Sequence, residues 1–179
     1  MSWTAPKTMG AEAAVSSDWN VYVRDNLNFL KGITDGVTFS GTQLTRAAAT
    51  SIATATWTAI TWTAEVHDYG GWWASGTNIV VPAGAIPSGY TTIMVMVTAT
   101  ATFASNGTGY RMMRALKNGS QFGRDRISAI SGDQTDVGFT EFTTAIAGDI
   151  ITFELYQNSG AGLNASTMLV NVVRFAPVV

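Results

Sequence analysis

The stretch "TIMVMVTATATF", residues 92–103, decides the fold that this sequence predicts. Apolar residues recur at every second position from Ile93 to Phe103, while the residues between them change from methionine to threonine. Because successive side chains of a strand point to opposite faces, this alternation predicts one long β-strand. Its first half is apolar on both faces, which is expected where the strand's own core covers one side and a neighbouring subunit the other.

The chain beyond about Val37 continues this pattern of strands and turns. The whole sequence contains 25 threonines, many of them alternating with apolar residues in this region, and β-branched side chains fit a pleated sheet better than a helix. Turn signals such as Asn106-Gly107 and Asn118-Gly119 separate the candidate strands. The candidates are residues 43–48, 56–62, 78–81, 89–103, 110–117, 122–130, 138–145, 150–157 and 168–175. This spacing predicts an all-β jelly-roll sandwich of eight to nine antiparallel strands.

Composition restricts the class of protein. A chain of 179 residues fits one domain with a short appendage, and a net charge of −2 gives no broad field for nucleic acid. The absence of cysteine excludes disulfides, thiolate zinc sites and a cysteine nucleophile. The sequence has neither a signal-peptide pattern nor about 18 consecutive apolar residues, so we expect a soluble protein without a membrane partner.

One segment has helical periodicity. In "SSDWNVYVRDNLNFLKG", residues 16–32, Trp19, Val23, Leu27 and Leu30 follow a spacing that places them on one stripe. The pattern predicts a helix at about 17–31 inside an N-terminal anchoring segment, 1–36, followed by a jelly-roll domain, 37–179. Such a short helix is marginal alone, so its stripe packs on its own domain, on copies of itself or on a partner.

Five segments resemble a known family when taken in order. They are "ITWTAEVHD" at 60–68, "IVVPAGAIPSGYTTIMV" at 79–95, "YRMMRALKNGS" at 110–120, "AIAGDIITFELYQNSG" at 145–160 and "STMLVNVVRF" at 166–175. Together they resemble the globular-head jelly roll of complement-type and tumour-necrosis-factor-type proteins, which is also common in bacterial and phage structural proteins. This sequence differs from the pattern by the insertion "AGAIPS" between Pro82 and Gly89. The resemblance implies a homotrimer.

The N-terminal part resembles the opening of many phage and prophage virion proteins, in which a short helix anchors a β-rich head. It implies a non-enzymatic virion structural protein that is made in the host cytoplasm. We expect a capsid decoration (cement) or head-fibre protein that docks on the major capsid protein or another virion protein. The expected anchoring residues are Trp3, Trp19, Tyr22, Val23, Leu27 and Leu30.

Two other functions remain open at this stage. One is a tail-associated receptor-binding or carbohydrate-binding module that recognises a host surface glycan. The other is the head of a bacterial extracellular adhesin, which the missing signal peptide disfavours.

The segment "HDYGGWWASG", residues 67–76, concentrates aromatic residues behind two glycines. Trp72, Trp73 and Tyr69 are candidates for contact with a ligand or a second subunit. Adjacent residues of an extended chain point to opposite sides, so only one tryptophan is expected to face the core. On a regular strand, Glu65 and His67 would share one face and Asp68 would point to the other, which gives no convergent catalytic site.

Half of the ten basic residues fall within sixteen positions. They form a candidate partner patch, which consists of Arg111, Arg114, Lys117, Arg124 and Arg126. If Tyr110, Met112 and Arg114 share a strand face, Arg114 lies among apolar side chains. A buried guanidinium needs a carboxylate, so we expect an ion pair or a position at a subunit interface.

The sequence contains no motif for an enzyme, and we expect no cofactor and no metal. Asp133, Asp136 and Glu141 lie near a glycine-containing turn, where oxygen ligands for calcium would be available. Their spacing matches no known calcium loop, and a solvated loop is the preferred interpretation.

Overall fold

The computed structural model describes residues 40–178, which form eleven strands and one short 3-10 turn. In chain order they are β1 (Gly41–Arg46), β2 (Thr50–Ile52), β3 (Thr58–Ala59), β4 (Ala64–Tyr69), β5 (Ile79–Val80), the 3-10 turn (Ala83–Ala85), β6 (Thr92–Phe103), β7 (Tyr110–Lys117), β8 (Ser120–Ser128), β9 (Thr135–Ala145), β10 (Ile150–Gln157) and β11 (Leu163–Val178). Only β2, β3 and β5 have fewer than six residues.

The strands form two antiparallel sheets. The six-stranded sheet has the order β4-β1-β11-β6-β9, with β2 paired to β11, and the five-stranded sheet has the order β3-β10-β7-β8, with β5 paired to β10. Most neighbours are distant in sequence, as in the register from Gly41 opposite Val173 to Arg46 opposite Met168. The predicted all-β jelly roll is therefore confirmed.

In the long strand β6, alternate side chains point into the hydrophobic core. Ile93, Val95, Val97 and Ala99 have no exposed surface, whereas Met94 and Met96 on the other side are half-buried. Phe153 of β10 is also fully buried, and the apolar residues of both sheets form one cluster. Close packing of the two inner faces leaves the opposite face of each sheet outside the sandwich.

The Asn118-Gly119 pair makes the turn that its sequence predicts. Both residues have positive φ, 50° and 80°, and they join β7 to β8 as a two-residue hairpin. The Asn118 side chain also donates to Asp149 and accepts the backbone N–H of Ile150, at 2.7 and 2.9 Å. The turn is thereby tied to the start of β10.

Several strand boundaries differ from the prediction. Of the predicted strand 56–62, only the two residues of β3 form a strand. The strands β2 and β4 match none of the nine predicted candidates. The predicted strand 168–175 grows to β11 because the chain continues through an irregularity at Thr167, where φ is 49°, and pairs with β2. These differences arise from pairing partners that lie far away in the sequence.

The predicted N-terminal segment and its helix lie outside the described residues, and so do the six anchoring residues. The N-terminal helix, the anchoring residues and the boundary between the two predicted domains therefore stay predictions. Within residues 40–178, no helix is long and apolar enough to cross a membrane.

Candidate interaction surfaces

Asp68 organises the turn that carries the paired tryptophans. Its two carboxylate oxygens accept the backbone N–H groups of Trp72 and Trp73, at 2.8 and 3.0 Å. Gly70 and Gly71 both have positive φ, 110° and 76°, which a side chain would oppose. The turn reverses the chain after β4 and directs Trp72 into the sandwich.

The two tryptophans have different environments. Trp72 is completely buried, and its indole N–H donates to the hydroxyl of Ser40 at 2.9 Å. Trp73 is half-buried against the edge of the core, and its indole N–H donates to the carbonyl of Gly76 at 3.3 Å. Tyr69 is 56% exposed. Trp72 is thus the core residue of the pair, and Trp73 and Tyr69 remain the candidates for contact.

The structure corrects the expected arrangement of Glu65 and His67. In the register of β4 with β1, His67 lies opposite Gln43 and Glu65 lies opposite Leu44, with an irregularity between them. Because neighbouring residues of β1 point to opposite faces, Glu65 and His67 also lie on opposite faces. The extra residue, Val66, inverts the alternation that the sequence suggests.

The outward side of the six-stranded sheet, which we call the open face, is almost free of charge. The open face comprises the outward positions of β1, β6, β9 and β11 in the observed register. They include Gly41, Gln43, Thr45, Met94, Met96, Thr98, Thr100, Thr102, Asp136, Gly138, Thr140, Phe142, Thr144, Leu169, Asn171 and Val173, and we add Phe175, which lies at the irregularity between Arg174 and Ala176. Among these positions of the described strands, only Asp136 carries a charge.

The open face has an apolar part and a polar part. Phe142 and Phe175 meet edge to face with their ring centroids 5.3 Å apart, although they are 49% and 62% exposed. In the polar part, the hydroxyls of Thr98 and Thr140 are 3.0 Å apart, and the side chain of Gln43 donates to Asn171 at 2.7 Å. Large exposed aromatic side chains next to methionines are typical of a protein interface.

The five residues of the predicted basic patch are divided among three environments. Arg111 is completely buried, and its guanidinium donates to the backbone carbonyls of residues 106, 108 and 110 at 2.7 to 3.2 Å. Lys117 donates to the carbonyl of Thr144 and lies 3.9 Å from the carboxylate of Asp149. Arg114, Arg124 and Arg126 alone share the outer face of the five-stranded sheet.

Arg114 has a carboxylate partner, which is one of the two alternatives that its position predicts. Its Nε donates to Glu154 at 2.7 Å, from the strand next to its own, and this ion pair is confirmed. Burial is partial, because each side chain keeps 23% of its surface exposed. The guanidinium of Arg114 also lies 4.0 Å from the ring centroid of Trp57.

A row of stacked side chains crosses this outer face, and we call it the cation–aromatic ladder. Its members, in spatial order, are Arg126, Tyr110, Tyr156, Trp57 and Arg114. Arg126 lies 3.9 Å from the Tyr110 ring centroid, Tyr110 and Tyr156 stack at 5.7 Å and 15°, and Tyr156 and Trp57 meet at 5.2 Å. Trp57, Tyr156 and Glu154 are distant from β7 in the sequence, and only strand pairing brings them beside it.

Within the ladder, Tyr110 influences the ionisation of Tyr156. Hydrogen bonding to Tyr110 raises the pKa of Tyr156 above its usual value, and partial burial raises it further, while the charge of Arg126 acts in the opposite direction. The neutral phenol is therefore the form that this surface favours.

Two of the three acidic residues considered as calcium ligands have other partners. Asp133 accepts the backbone N–H of Gln134 at 2.7 Å, and Asp136 accepts the hydroxyl of Thr102 at 2.6 Å. Residues 40–178 contain no group of three or more His, Asp or Glu side chains that could hold a metal ion.

Known structures share this architecture. Murine APRIL at pH 5.0 is 18% identical, with a TM-score of 0.58 over 77% of this chain and 100% of that chain. The globular domain of zebrafish complement 1qA protein is 10% identical, with a TM-score of 0.56 over 78% and 99% of the two chains. Eiger TNF from S. frugiperda is 10% identical, with a TM-score of 0.55 over 79% and 95%. No family description and no curated protein sequence matches this chain. The jelly roll is thus the one seen in tumour-necrosis-factor-like and complement globular domains.

Proposed function

We propose that this protein is a non-enzymatic structural and binding protein of a phage virion, and that it forms a homotrimer through its open face. The observation that carries the proposed assembly is the exposure of Phe142 and Phe175 on a sheet surface with a single charged position. Burying a large apolar side chain contributes about 1.5–3 kcal/mol, so three copies gain stability when they cover these faces.

The position of β6 supports the same interface. Met94 and Met96 lie on the open face between β9 and β11, and Phe142 and Val173 are the register partners of Met96. Methionine adapts its shape to a partner surface and is enriched at interfaces. Three copies, rather than two, follow from the sequence resemblance to complement-type and tumour-necrosis-factor-type jelly rolls.

The role in the virion rests on the resemblance of the N-terminal segment to virion anchoring segments. We propose that the protein decorates the capsid, with residues 1–36 docking on the major capsid protein or another virion protein. Three linked anchors raise the effective affinity without any new kind of contact. The virion is accordingly its proposed location.

Sedimentation velocity of the full chain tests the assembly. The expected result is one species of about three times the 18.9 kDa chain at micromolar concentration. A monomer would overturn the trimer.

For the virion role, addition of the purified protein to expanded capsids of the encoding phage should raise their melting temperature. Attachment to host cells without affinity for capsids would contradict it.

A further inference from the structure

The cation–aromatic ladder provides a flat, rigid surface on the side of the molecule opposite the open face. Tyr156 lies on β10, Tyr110 lies on β7, and Trp57 directly precedes β3. Met112, only 7% exposed, lies between Tyr156 and Arg126 in the register and belongs to the same face. Rings held on neighbouring strands lose little side-chain freedom when a ligand stacks on them.

The ladder also holds its guanidinium groups in a defined orientation. Arg126 is stacked over Tyr110 and Arg114 over Trp57. Stacking covers the plane of a guanidinium and leaves its N–H edge available for a planar carboxylate. Arg114 uses its edge in this way for Glu154. Arg124 and Arg126 have no such carboxylate partner within residues 40–178.

Charge on this face is opposite in sign to that of the whole chain. Three arginines face a single carboxylate, that of Glu154, which leaves two positive charges in a chain whose net charge is −2. Asp125 lies between Arg124 and Arg126 in sequence, but its carboxylate accepts the backbone N–H of Gly138 on β9 at 3.1 Å. An acidic ligand is therefore complementary to this surface.

We propose that the outer face of the five-stranded sheet binds a polyuronate segment, an oligosaccharide with a carboxylate on successive sugar units. Arg124 and Arg126 bind the carboxylates. The outer edges of the Tyr156 and Trp57 rings contact the sugar faces, because their ring planes are stacked against Tyr110, Arg114 and each other. The two arginines are two residues apart on one strand, about 7 Å, which suits a repeated anion better than a single terminal one. This binding function goes beyond the proposed structural role.

Other polymeric anions fit this surface less well. A single-stranded nucleic acid would also stack on aromatic rings, but its affinity depends on neutralising many phosphates, and this face supplies two excess charges. An acidic peptide carries carboxylates but lacks the flat apolar faces that the rings of Tyr156 and Trp57 would contact. In the proposed trimer the ladder faces away from the subunit interface and stays accessible.

Isothermal titration of the full chain with hexagalacturonate tests the proposal. We expect binding that weakens with added salt, and at least tenfold weaker binding of the fully methyl-esterified hexamer. Arg126→Gln should weaken binding by about tenfold, since it removes one guanidinium–carboxylate contact. Arg46→Gln removes the same charge from the other sheet and should change the affinity less than twofold.

The aromatic contribution is tested separately. Trp57→Ala should weaken binding at least tenfold, whereas Trp57→Phe, which keeps a ring, should retain most of it. The proposal is overturned if wild type does not bind the hexamer, or if Arg126→Gln and Arg46→Gln have equal effects. Tighter binding of a thymidine hexanucleotide or of hexa-aspartate would also overturn it. Sedimentation is an independent readout, so a monomer that binds the hexamer contradicts only the trimer.

Discussion

Arg111 and Arg114, three residues apart on β7, project from opposite faces of the five-stranded sheet. Arg111 is fully buried and is bound by backbone carbonyls, while Arg114 is paired with Glu154 at the surface. Side chains of a strand alternate between its two faces, so residues that are three positions apart lie on opposite faces. Two residues of one basic cluster in the sequence thus have unrelated structural roles.

Arg111 should be essential for stability. Its guanidinium binds two carbonyls of the loop before β7 and the carbonyl of the first residue of β7, and burial lowers its pKa by disfavouring the charged form. Lysine offers one ammonium in place of two donor nitrogens, so Arg111→Lys should lower the free energy of unfolding by about 2–3 kcal/mol. Urea denaturation measures the change. The exposed control Arg124→Lys should stay within about 0.5 kcal/mol of wild type, and a similarly small effect at Arg111 would contradict this account.

Asp68 should stabilise the tryptophan turn. Asp68→Ala leaves the backbone N–H groups of Trp72 and Trp73 without their carboxylate, with an expected loss of about 1–3 kcal/mol. Thermal and urea unfolding provide the measurement. Asp133→Ala is the matched control, because Asp133 accepts only the N–H of its neighbour Gln134. Equal stability of the two variants would argue against the turn.

Tyr156 should titrate above an ordinary tyrosine. Hydrogen bonding to Tyr110 is the largest cause of its raised pKa, so Tyr110→Phe should move the pKa of Tyr156 down towards its usual value of about 10. Ultraviolet titration of the phenolate, with assignment by NMR, measures it. Tyr90→Phe should leave the pKa of Tyr156 unchanged.

The same shift makes stability depend on pH. The neutral phenol is favoured in the folded state, so its contribution is fully present below about pH 10 and is lost as pH rises through the raised folded value. Wild type should therefore lose more stability than Tyr156→Phe over this range. Parallel curves for the two proteins would count against the raised pKa.

Phe142 should be required for assembly. Phe142→Glu places a charge on the open face beside Phe175, and burying it would cost more than the interface gains. The variant should sediment as a folded monomer. Ile130→Glu changes an apolar residue that is 48% exposed outside the open face, compared with 49% for Phe142, and should leave the trimer intact. A trimeric Phe142→Glu protein would exclude the open face as the interface.

Gly109 should tolerate no side chain. It has a φ of 75°, and an added Cβ would overlap the side-chain and backbone oxygens of Asn158. Gly132 has a similar φ, 81°, but nothing lies within 4 Å of its Cβ position. Gly132→Ala therefore measures backbone strain alone, about 1–2 kcal/mol, and Gly109→Ala should cost clearly more. Chemical denaturation of both variants tests the difference.

The candidate surfaces could be predicted only in part. The alternation around Arg114 predicted either a carboxylate partner or a position at a subunit interface, because one strand face is a local property of the sequence, and the structure shows the carboxylate. Trp57 and Tyr156 are 99 positions apart and could not be associated without the pairing of β3 with β10. The face on which His67 lies was predicted wrongly for a different reason. One extra residue in β4 reverses the face of every side chain beyond it.

The sequence by itself determined the class of fold, the long strand β6, the hairpin at Asn118-Gly119 and the need for a partner of Arg114. Each follows from alternation, turn chemistry or the cost of burying a charge, which act over a few neighbouring residues. Only the tertiary structure decided that Arg111 is the buried arginine, that Trp72 is the core tryptophan and that five residues form a ladder. These depend on which strands pair and in what register, and that choice is made by packing across the whole sandwich.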